Sequence, residues 1–267
     1  MTLRFVLVPQ WQGSPSSRAM RLAEGVAALR GDLPTSATTE VSVPLESGDE
    51  QGTGVARFTS IQLVRERTTD ALADLSDPFV IVGGDCGVSA AGIAEAVRRH
   101  GDVCVVWFDA HPDLNSTQSS PSGAFAGMVL RAAIDGGDVA ADRVILAGAR
   151  SWDEGEEVFV AETGLRAFPV ADLADPTDLV DAVAATGATA VYLHIDLDVL
   201  DPAELGGLLD PEPFGLSAAT LVATVKALRG RFTLAGAALT AYAPTSTEGE
   251  QAADDAATIL RIIAALD

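Results

Sequence analysis

The amino-acid sequence predicts an α/β fold built around a doubly wound, mostly parallel sheet. Short runs rich in β-branched residues alternate along the chain with longer, Ala-rich segments of helical spacing, as expected when strands and helices alternate. Several runs, such as Val-Cys-Val-Val-Trp-Phe at 103–108, are apolar on both faces, which is typical of strands covered by helices on both sides. The 267 residues, 48% of them hydrophobic, can bury a sizeable core, and we expect one domain over residues 1–267.

Each predicted strand is a short apolar run, and each predicted helix is a longer segment with apolar residues at helical spacing. In chain order, strands are expected at residues 3–8, 39–43, 79–82, 103–108, 143–147, 190–197 and 232–240. Helices are expected at residues 18–30, 57–75, 89–100, 123–135, 217–228 and 248–266. Residues 36–54, rich in Ser, Thr, Gly and acidic residues, give the weakest signal, a strand followed by a loop.

The charge balance excludes some partners. There are 38 Asp and Glu residues against 17 Lys and Arg, a net charge of −21, which would repel nucleic acid and anionic membrane surfaces. It suits metal ions or a small cationic substrate, although solubility alone also explains it. The chain has no apolar run of about 18 residues, its first apolar run is typical of a strand rather than a signal peptide, and two cysteines cannot form a disulfide framework. We therefore expect a cytoplasmic protein that does not bind membranes.

Polar clusters follow three of the predicted strands. They are Gly-Gly-Asp-Cys-Gly-Val-Ser at 83–89, Asp-Ala-His-Pro-Asp-Leu-Asn at 109–115 and His-Ile-Asp-Leu-Asp-Val-Leu-Asp-Pro at 194–202. Taken singly, a Gly-Gly-Asp segment is usually a turn, and Asp-x-Asp is often a loop or a helix cap. Because ligands of open α/β sheets bind outside the carboxyl ends of the strands, three such clusters together favour a functional site.

The spacing of the acidic residues predicts a metal centre. Residues two apart in an extended chain face the same way, so Asp109, His111 and Asp113 are expected to point together, as are Asp196 and Asp198. Carboxylates this close repel each other unless a cation lies between them. A pair of divalent ions bridged by shared carboxylates, roughly 3.5–4 Å apart, explains the cluster and makes hydroxide from water near neutral pH.

These motifs resemble the signatures of the arginase/agmatinase/formiminoglutamase (ureohydrolase) family: Gly-Gly-Asp-His-Ser, Asp-Ala-His-x-Asp-x-Asn and Asp-x-Asp-x-x-Asp-Pro. The second and third are matched fully, and their order fits almost the whole chain. The resemblance implies a three-layer αβα fold, two Mn²⁺ ions and hydrolysis of guanidino or formimino C–N bonds. It implies that Asp113 also accepts a hydrogen bond from the attacking hydroxide. The implied metal ligands are Cys86, Asp109, His111, Asp113, Asp196 and Asp198.

Cys86 departs from the family pattern, because it stands where the family has a histidine. A thiolate can bind metal, and at a predicted helix start we expect the helix dipole to lower the pKa of this thiol. The soft sulfur would favour Zn²⁺, Fe²⁺ or Co²⁺ over Mn²⁺ at its position. The alternative is a small buried thiol beside a weak or empty metal position.

Two further departures concern the substrate. Ala126 stands where arginases have a proton-shuttling histidine, and Ala241 where they have a guanidinium-binding glutamate, so we expect a substrate other than arginine. Ser122 begins the segment that corresponds to Ser-Gly-Asn-x-His-Gly, and residues 150–156 are similar to the segment whose carboxylates hold the distal amine of the substrate. We assign Ser122, Asp153 and Glu156 to substrate binding, although acids in a first helical turn are also ordinary dipole partners.

His194 lies two residues before Asp196 and by strand alternation shares its side of the sheet, about 6–7 Å deeper. It could orient a ligand, replace the missing proton donor in catalysis, or be a core histidine bonded to an acid.

The sequence thus predicts a binuclear metal-dependent hydrolase of a linear amidine C–N bond that acts on a small, cationic molecule and could form a homo-oligomer. The alternative is a degenerate family member that binds metal without catalysis and serves as a scaffold or a subunit. A thiol hydrolase that uses Cys86 is disfavoured, because no histidine lies near it in the sequence.

Overall fold

The structure is a computed structural model that describes residues 3–267, in which eight strands form one sheet. All neighbouring strands are parallel, in the order β2-β1-β3-β8-β7-β4-β5-β6. The strands are β1 Arg4–Val8, β2 Thr38–Glu40, β3 Phe79–Gly83, β4 Val103–Phe108, β5 Val144–Ala147, β6 Arg166–Phe168, β7 Ala190–Asp196 and β8 Thr233–Thr240.

Helices cover both faces of this sheet and complete a three-layer αβα sandwich. They are α1 Met20–Leu29, α2 Phe58–Ala73, α3 Ser89–His100, α4 Val129–Asp135, α5 Glu154–Thr163, α6 Thr177–Ala185, α7 Ala218–Arg231 and α8 Glu250–Ala265. Helices α1, α6, α7 and α8 contribute to the hydrophobic core on one face, and α2, α3, α4 and α5 to the core on the other.

Alternation along the central strands explains why both faces are apolar. In β4, Cys104, Val106 and Phe108 enter one core, whereas Val103, Val105 and Trp107 enter the other. Successive side chains of a strand point to opposite faces, so a central strand that is covered on both sides needs an uninterrupted apolar run. The predicted doubly wound α/β fold is therefore confirmed.

The seven predicted strands and six predicted helices are all present, with small shifts at their ends. The largest shift is in the predicted helix at 123–135, where α4 begins only at Val129, after a 3-10 turn at Ala126–Met128. Strand β6 and helices α5 and α6 are not among the elements predicted from the sequence. The three residues of β6 lie at the edge of the sheet and are largely exposed, so β6 lacks the apolar run of the central strands.

The topology places the three polar clusters at one edge. Strands β3, β8, β7 and β4 are consecutive neighbours, and because they are parallel their carboxyl ends lie together.

Among residues 3–267, no helix combines the length and the apolar composition needed to cross a membrane.

Candidate metal centre

Asp109 directly follows β4 and lies at the centre of the polar clusters. It is 1% exposed. Its Oδ1 accepts a hydrogen bond from the backbone N–H of His111 (2.7 Å), and its Oδ2 accepts one from Trp107 Nε1 (3.2 Å). The nitrogen atoms of two imidazoles are also near, with His111 Nδ1 3.5 Å from Oδ1 and His194 Nε2 3.6 Å from Oδ2.

Two groups of candidate ligand atoms share Asp109. In each group, the nitrogen, sulfur or carboxylate oxygen atoms all lie within 4.8 Å of one another. The first, which we call the inner group, is wholly buried and consists of Cys86, Asp109, His194 and Asp196. The second, which we call the outer group, consists of Asp109, His111 and Asp198, and the side chain of its His111 is partly exposed. A carboxylate common to two groups is the arrangement expected for a bridged pair of cations.

A turn, and not strand alternation, brings Asp198 into the outer group. The chain leaves β7 at Asp196 and forms a 3-10 turn over Leu197–Val199. Asp196 Oδ1 accepts a hydrogen bond from the backbone N–H of Asp198 (2.9 Å). Asp198 then accepts one from the Ala110 N–H (3.0 Å) and lies 3.0 Å from His111 Nδ1. The expectation that extended chain aligns Asp196 with Asp198 was wrong, although the two side chains do converge.

Asp113 reaches the site through a left-handed backbone conformation rather than through extended chain. Its φ is 54°, a value uncommon outside glycine, so the expected strand alignment with Asp109 and His111 was also wrong. Asp113 is 4% exposed and lines the same cavity as Cys86, His111 and Asp196. Within residues 3–267, its Oδ2 and His194 Nε2 are buried atoms without a hydrogen-bond partner.

The electrostatics of the site favour a bound cation. Burial, reinforced by neighbouring carboxylates, raises the pKa of Asp113 and Asp196 far above the ordinary value and that of Asp198 to about 6. Burial also opposes ionisation of Asp109, but the adjacent imidazoles of His111 and His194 hold its pKa below the ordinary value. A divalent cation would favour the ionised carboxylates and satisfy the unpartnered atoms, so these residues fit such an ion.

Cys86 lies at the start of a 3-10 turn that leads into α3, and its thiol donates a hydrogen bond to Asp196 Oδ2 (2.9 Å). Burial raises the pKa of this thiol, and the negative charges of Asp196, Asp113 and Asp109 raise it further. The expectation that the helix start lowers the pKa of Cys86 was therefore wrong. The nearby carboxylates and the loss of solvent outweigh the dipole of the short turn.

His194 is fully buried and its ring is held on two sides. The ring stacks on Trp107, with centroids 3.5 Å apart and planes inclined by 10°. Its Nδ1 is 2.7 Å from Ser89 Oγ, and the Tyr192 hydroxyl also contacts that oxygen at 3.3 Å. The opposite ring nitrogen, Nε2, faces the other members of the inner group, Cys86, Asp109 and Asp196.

Two residues outside the candidate ligand set hold the loops of the site in place, and the sequence analysis gave neither a role. Buried Asp85 accepts hydrogen bonds from Gln10 Nε2 and from the backbone N–H groups of Gly13 and Gly87. Arg150, just after β5, donates to the backbone oxygens of the loops beside the outer group. The only sequence signal for the role of Arg150 is that it is a lone arginine at a strand end among acidic motifs.

A cavity of about 250 Å³ opens above the two groups. Its wall includes the candidate ligands Cys86, His111, Asp113 and Asp196, the predicted substrate residues Ser122, Asp153 and Glu156, and the small residues Ala126 and Ala241. Ser122 and Asp153 are exposed, and Asp153 accepts a hydrogen bond from Asn115 Nδ2 (2.7 Å). Substrate contacts of these residues remain a prediction.

Glu156 is buried, and both of its carboxylate oxygens are already bonded. Oε1 accepts the N–H of Leu114, next to Asp113, and Oε2 accepts the N–H of Asp153 at the start of α5, each at 2.9 Å. The second bond is half of a capping box.

We expect Glu156→Ala to lower the free energy of unfolding by about 2 kcal/mol, because it removes a helix cap and leaves the buried Leu114 N–H unpaired. Urea denaturation measures this change. The matched control is Glu157→Ala, since Glu157 is exposed and its removal should change stability by less than about 0.5 kcal/mol. Equal effects of the two substitutions would contradict the anchoring role of Glu156.

A model of the Arginase family matches residues 15–265. The arginase of Bacillus subtilis is 29% identical over 155 residues, 52% of this chain and 52% of the relative. The N(omega)-hydroxy-L-arginine amidinohydrolase of Streptomyces lavendulae is 32% identical over 148 residues, 53% of this chain and 52% of the relative. The matches therefore span about half the length of these curated relatives.

Solved structures extend the likeness over nearly the whole chain. The arginase of Entamoeba histolytica in complex with L-ornithine aligns with a TM-score of 0.85 and covers 99% of this chain and 97% of that chain. The sequence identity is 22%, so this likeness shows the fold and not the substrate.

Proposed function

Because the chain belongs to the arginase family, we propose that it is a binuclear metal-dependent hydrolase that cleaves a linear amidine C–N bond in a guanidino or formimino compound. We treat residues 1–267 as a single domain that carries this activity. The observation that carries the proposal is the position of Asp109, which belongs to both groups of candidate ligand atoms. The unpartnered, buried Oδ2 of Asp113 beside them supports a bound cation.

The proposed ligands are Cys86, Asp109, Asp113 and Asp196 at the inner position and Asp109, His111 and Asp198 at the outer position. A bound pair of divalent cations supplies Lewis-acid chemistry, because it polarises the C–N centre under attack and lowers the pKa of water. Carboxylate and imidazole ligands suit Mn²⁺ at the outer position, whereas the sulfur of Cys86 shifts the inner position toward Zn²⁺, Fe²⁺ or Co²⁺.

The remaining residues bind and orient the reactants. Asp113 lines the cavity, and as a ligand with two carboxylate oxygens it would also accept a hydrogen bond from the attacking water and hold it toward the cavity. Ser122 and Asp153 on the cavity wall offer polar and negative groups to the far end of a cationic substrate. Ala126 and Ala241 present only methyl groups on that wall, which supports a substrate other than arginine, since a buried guanidinium without a charged partner is costly.

A panel of guanidino and formimino compounds tests the proposed activity in the presence of Mn²⁺, Zn²⁺ or Co²⁺. We expect at least one compound other than arginine to be hydrolysed, and Asp113→Asn to reduce its turnover by about 100-fold or more. Asp142→Asn, at an exposed position, is the control and should be neutral. Metal binding without hydrolysis of any compound would favour the alternative, a metal-binding family member that acts as a scaffold.

Replacement of Cys86 tests the inner metal position. We expect Cys86→His to raise Mn²⁺ occupancy at this position, because imidazole replaces a soft sulfur ligand that Mn²⁺ binds poorly. Arginine hydrolysis should not appear, since Ala126 and Ala241 are unchanged. Metal analysis after equilibrium dialysis measures the occupancy, with Cys86→Ala as the matched control. Unchanged Mn²⁺ content in the histidine variant would place Cys86 outside the metal site.

A further inference from the structure

His194 presents an unused nitrogen to the inner group. Its ring is fully buried, and Nε2 has no hydrogen-bond partner within the described chain. The nearest carboxylate oxygen, Asp109 Oδ2, is 3.6 Å away, which is too long for a hydrogen bond. A buried polar nitrogen left in this state costs free energy, so its placement among Cys86, Asp109 and Asp196 requires a reason.

The other side of the ring is arranged as in a metal-binding histidine. Ligating histidines nearly always donate their second N–H to a fixed acceptor, which sets the tautomer and the ring orientation. Ser89 Oγ, 2.7 Å from Nδ1, can accept that N–H while the Tyr192 hydroxyl donates to the same oxygen. Stacking on Trp107 fixes the plane of the ring. In this tautomer, the lone pair of Nε2 faces the inner group.

The distances permit one ion to contact His194 together with the other members of the inner group. Nitrogen and sulfur ligands bind at about 2.1 and 2.3 Å from zinc, so two ligands on opposite sides of an ion are about 4.4 Å apart. The candidate atoms of the inner group lie within 4.8 Å of one another. Small side-chain rotations therefore suffice for ligation.

We propose that His194 Nε2 is a direct ligand of the inner metal ion. The inner position then has one nitrogen and one sulfur among carboxylate oxygens, whereas the outer position has His111 and carboxylates alone. This inference rests on the proposed binuclear site. His194 is then a direct ligand of the ion rather than a residue that only orients another ligand. The added nitrogen makes Zn²⁺ or Co²⁺ the preferred inner ion.

Cadmium-113 NMR of the whole protein with ¹⁵N-labelled histidine tests this assignment, since a one-bond scalar coupling between the two nuclei requires a coordination bond. The chain has three histidines, and His100, at the end of α3, is an internal control that should show no coupling. We expect two coupled histidines, His111 and His194. In the His111→Gln variant one coupled histidine should remain.

The outcomes separate this inference from the proposed function. Coupling to His111 alone would overturn direct ligation by His194 and leave the metal site intact, whereas coupling to no histidine would contradict the metal site itself. Cd²⁺ titration gives a second readout, in which His194→Gln should bind one ion fewer per chain than the native protein. Should that variant fail to fold, the spectrum of the native protein still decides between one and two coupled histidines.

Discussion

Removal of divalent metal should lower the melting temperature of this protein by about 5–10 °C. Four carboxylates, those of Asp109, Asp113, Asp196 and Asp198, are buried at the carboxyl edge of the sheet. A bound ion stabilises the folded state by RT ln(1 + [L]/Kd), which is about 2.7 kcal/mol when free metal exceeds Kd a hundredfold. For a chain of this size, a change of about 1 kcal/mol in the free energy of unfolding shifts the melting temperature by about 2–4 °C.

The measurement is differential scanning calorimetry of a sample shown beforehand to contain metal, with and without a chelator. Addition of Mn²⁺ or Zn²⁺ in excess of the chelator is the control and should restore the original melting temperature. An unchanged melting temperature in the metal-free sample would contradict the view that the buried carboxylates are held together by cations.

Loss of the Arg150 side chain should be the most damaging substitution outside the candidate ligand set. The guanidinium donates to six backbone oxygens, those of Gly148, Asp198, Val199, Leu200, Glu212 and Pro213, at 2.7–3.3 Å. It thereby joins the turn that contains Asp198 to the loop that contains Glu212. Because hydrogen bonds to charged groups contribute more than neutral ones but do not add up simply, we expect Arg150→Ala to lower the free energy of unfolding by about 3 kcal/mol.

The same substitution should weaken binding at the outer metal position, since the turn that holds Asp198 loses its clamp. Urea denaturation and metal titration measure the two effects. Arg150→Lys should rescue only part of the stability, because an ammonium group cannot reproduce the planar fork of donors. Arg166→Ala, at an exposed position of β6, is the matched control. Equal stability losses for Arg150→Ala and Arg166→Ala would show that the clamp is unimportant.

The sequence predicts the central sheet well because its strands are apolar on both faces, as in β4. It also identifies the correct edge, since each polar cluster follows a strand and all strands are parallel. The local geometry of the site was less predictable. The chain stops being extended at Phe108 and Asp196, so alternation could not describe how Asp113 and Asp198 reach the centre.

Other features depend on contacts between segments far apart in sequence. Burial, together with carboxylates from two distant loops, raises the pKa of Cys86, and Arg150 is anchored by backbone oxygens as much as 63 residues away. The residue pattern does not show which backbone oxygens act as hydrogen-bond acceptors. Strand alternation predicted that His194 lies on the same side of the sheet as Asp196, whereas its unpartnered Nε2 was visible only in the structure.

The most direct test of the account is the number of divalent ions bound per chain. Equilibrium dialysis against Mn²⁺ together with Zn²⁺, followed by elemental analysis, should give two ions per chain for the native protein. Asp109→Asn should lose tight binding at both positions, because Asp109 belongs to both groups of ligand atoms. A native protein that binds neither ion, or an Asp109→Asn variant that still binds two, would contradict the binuclear site.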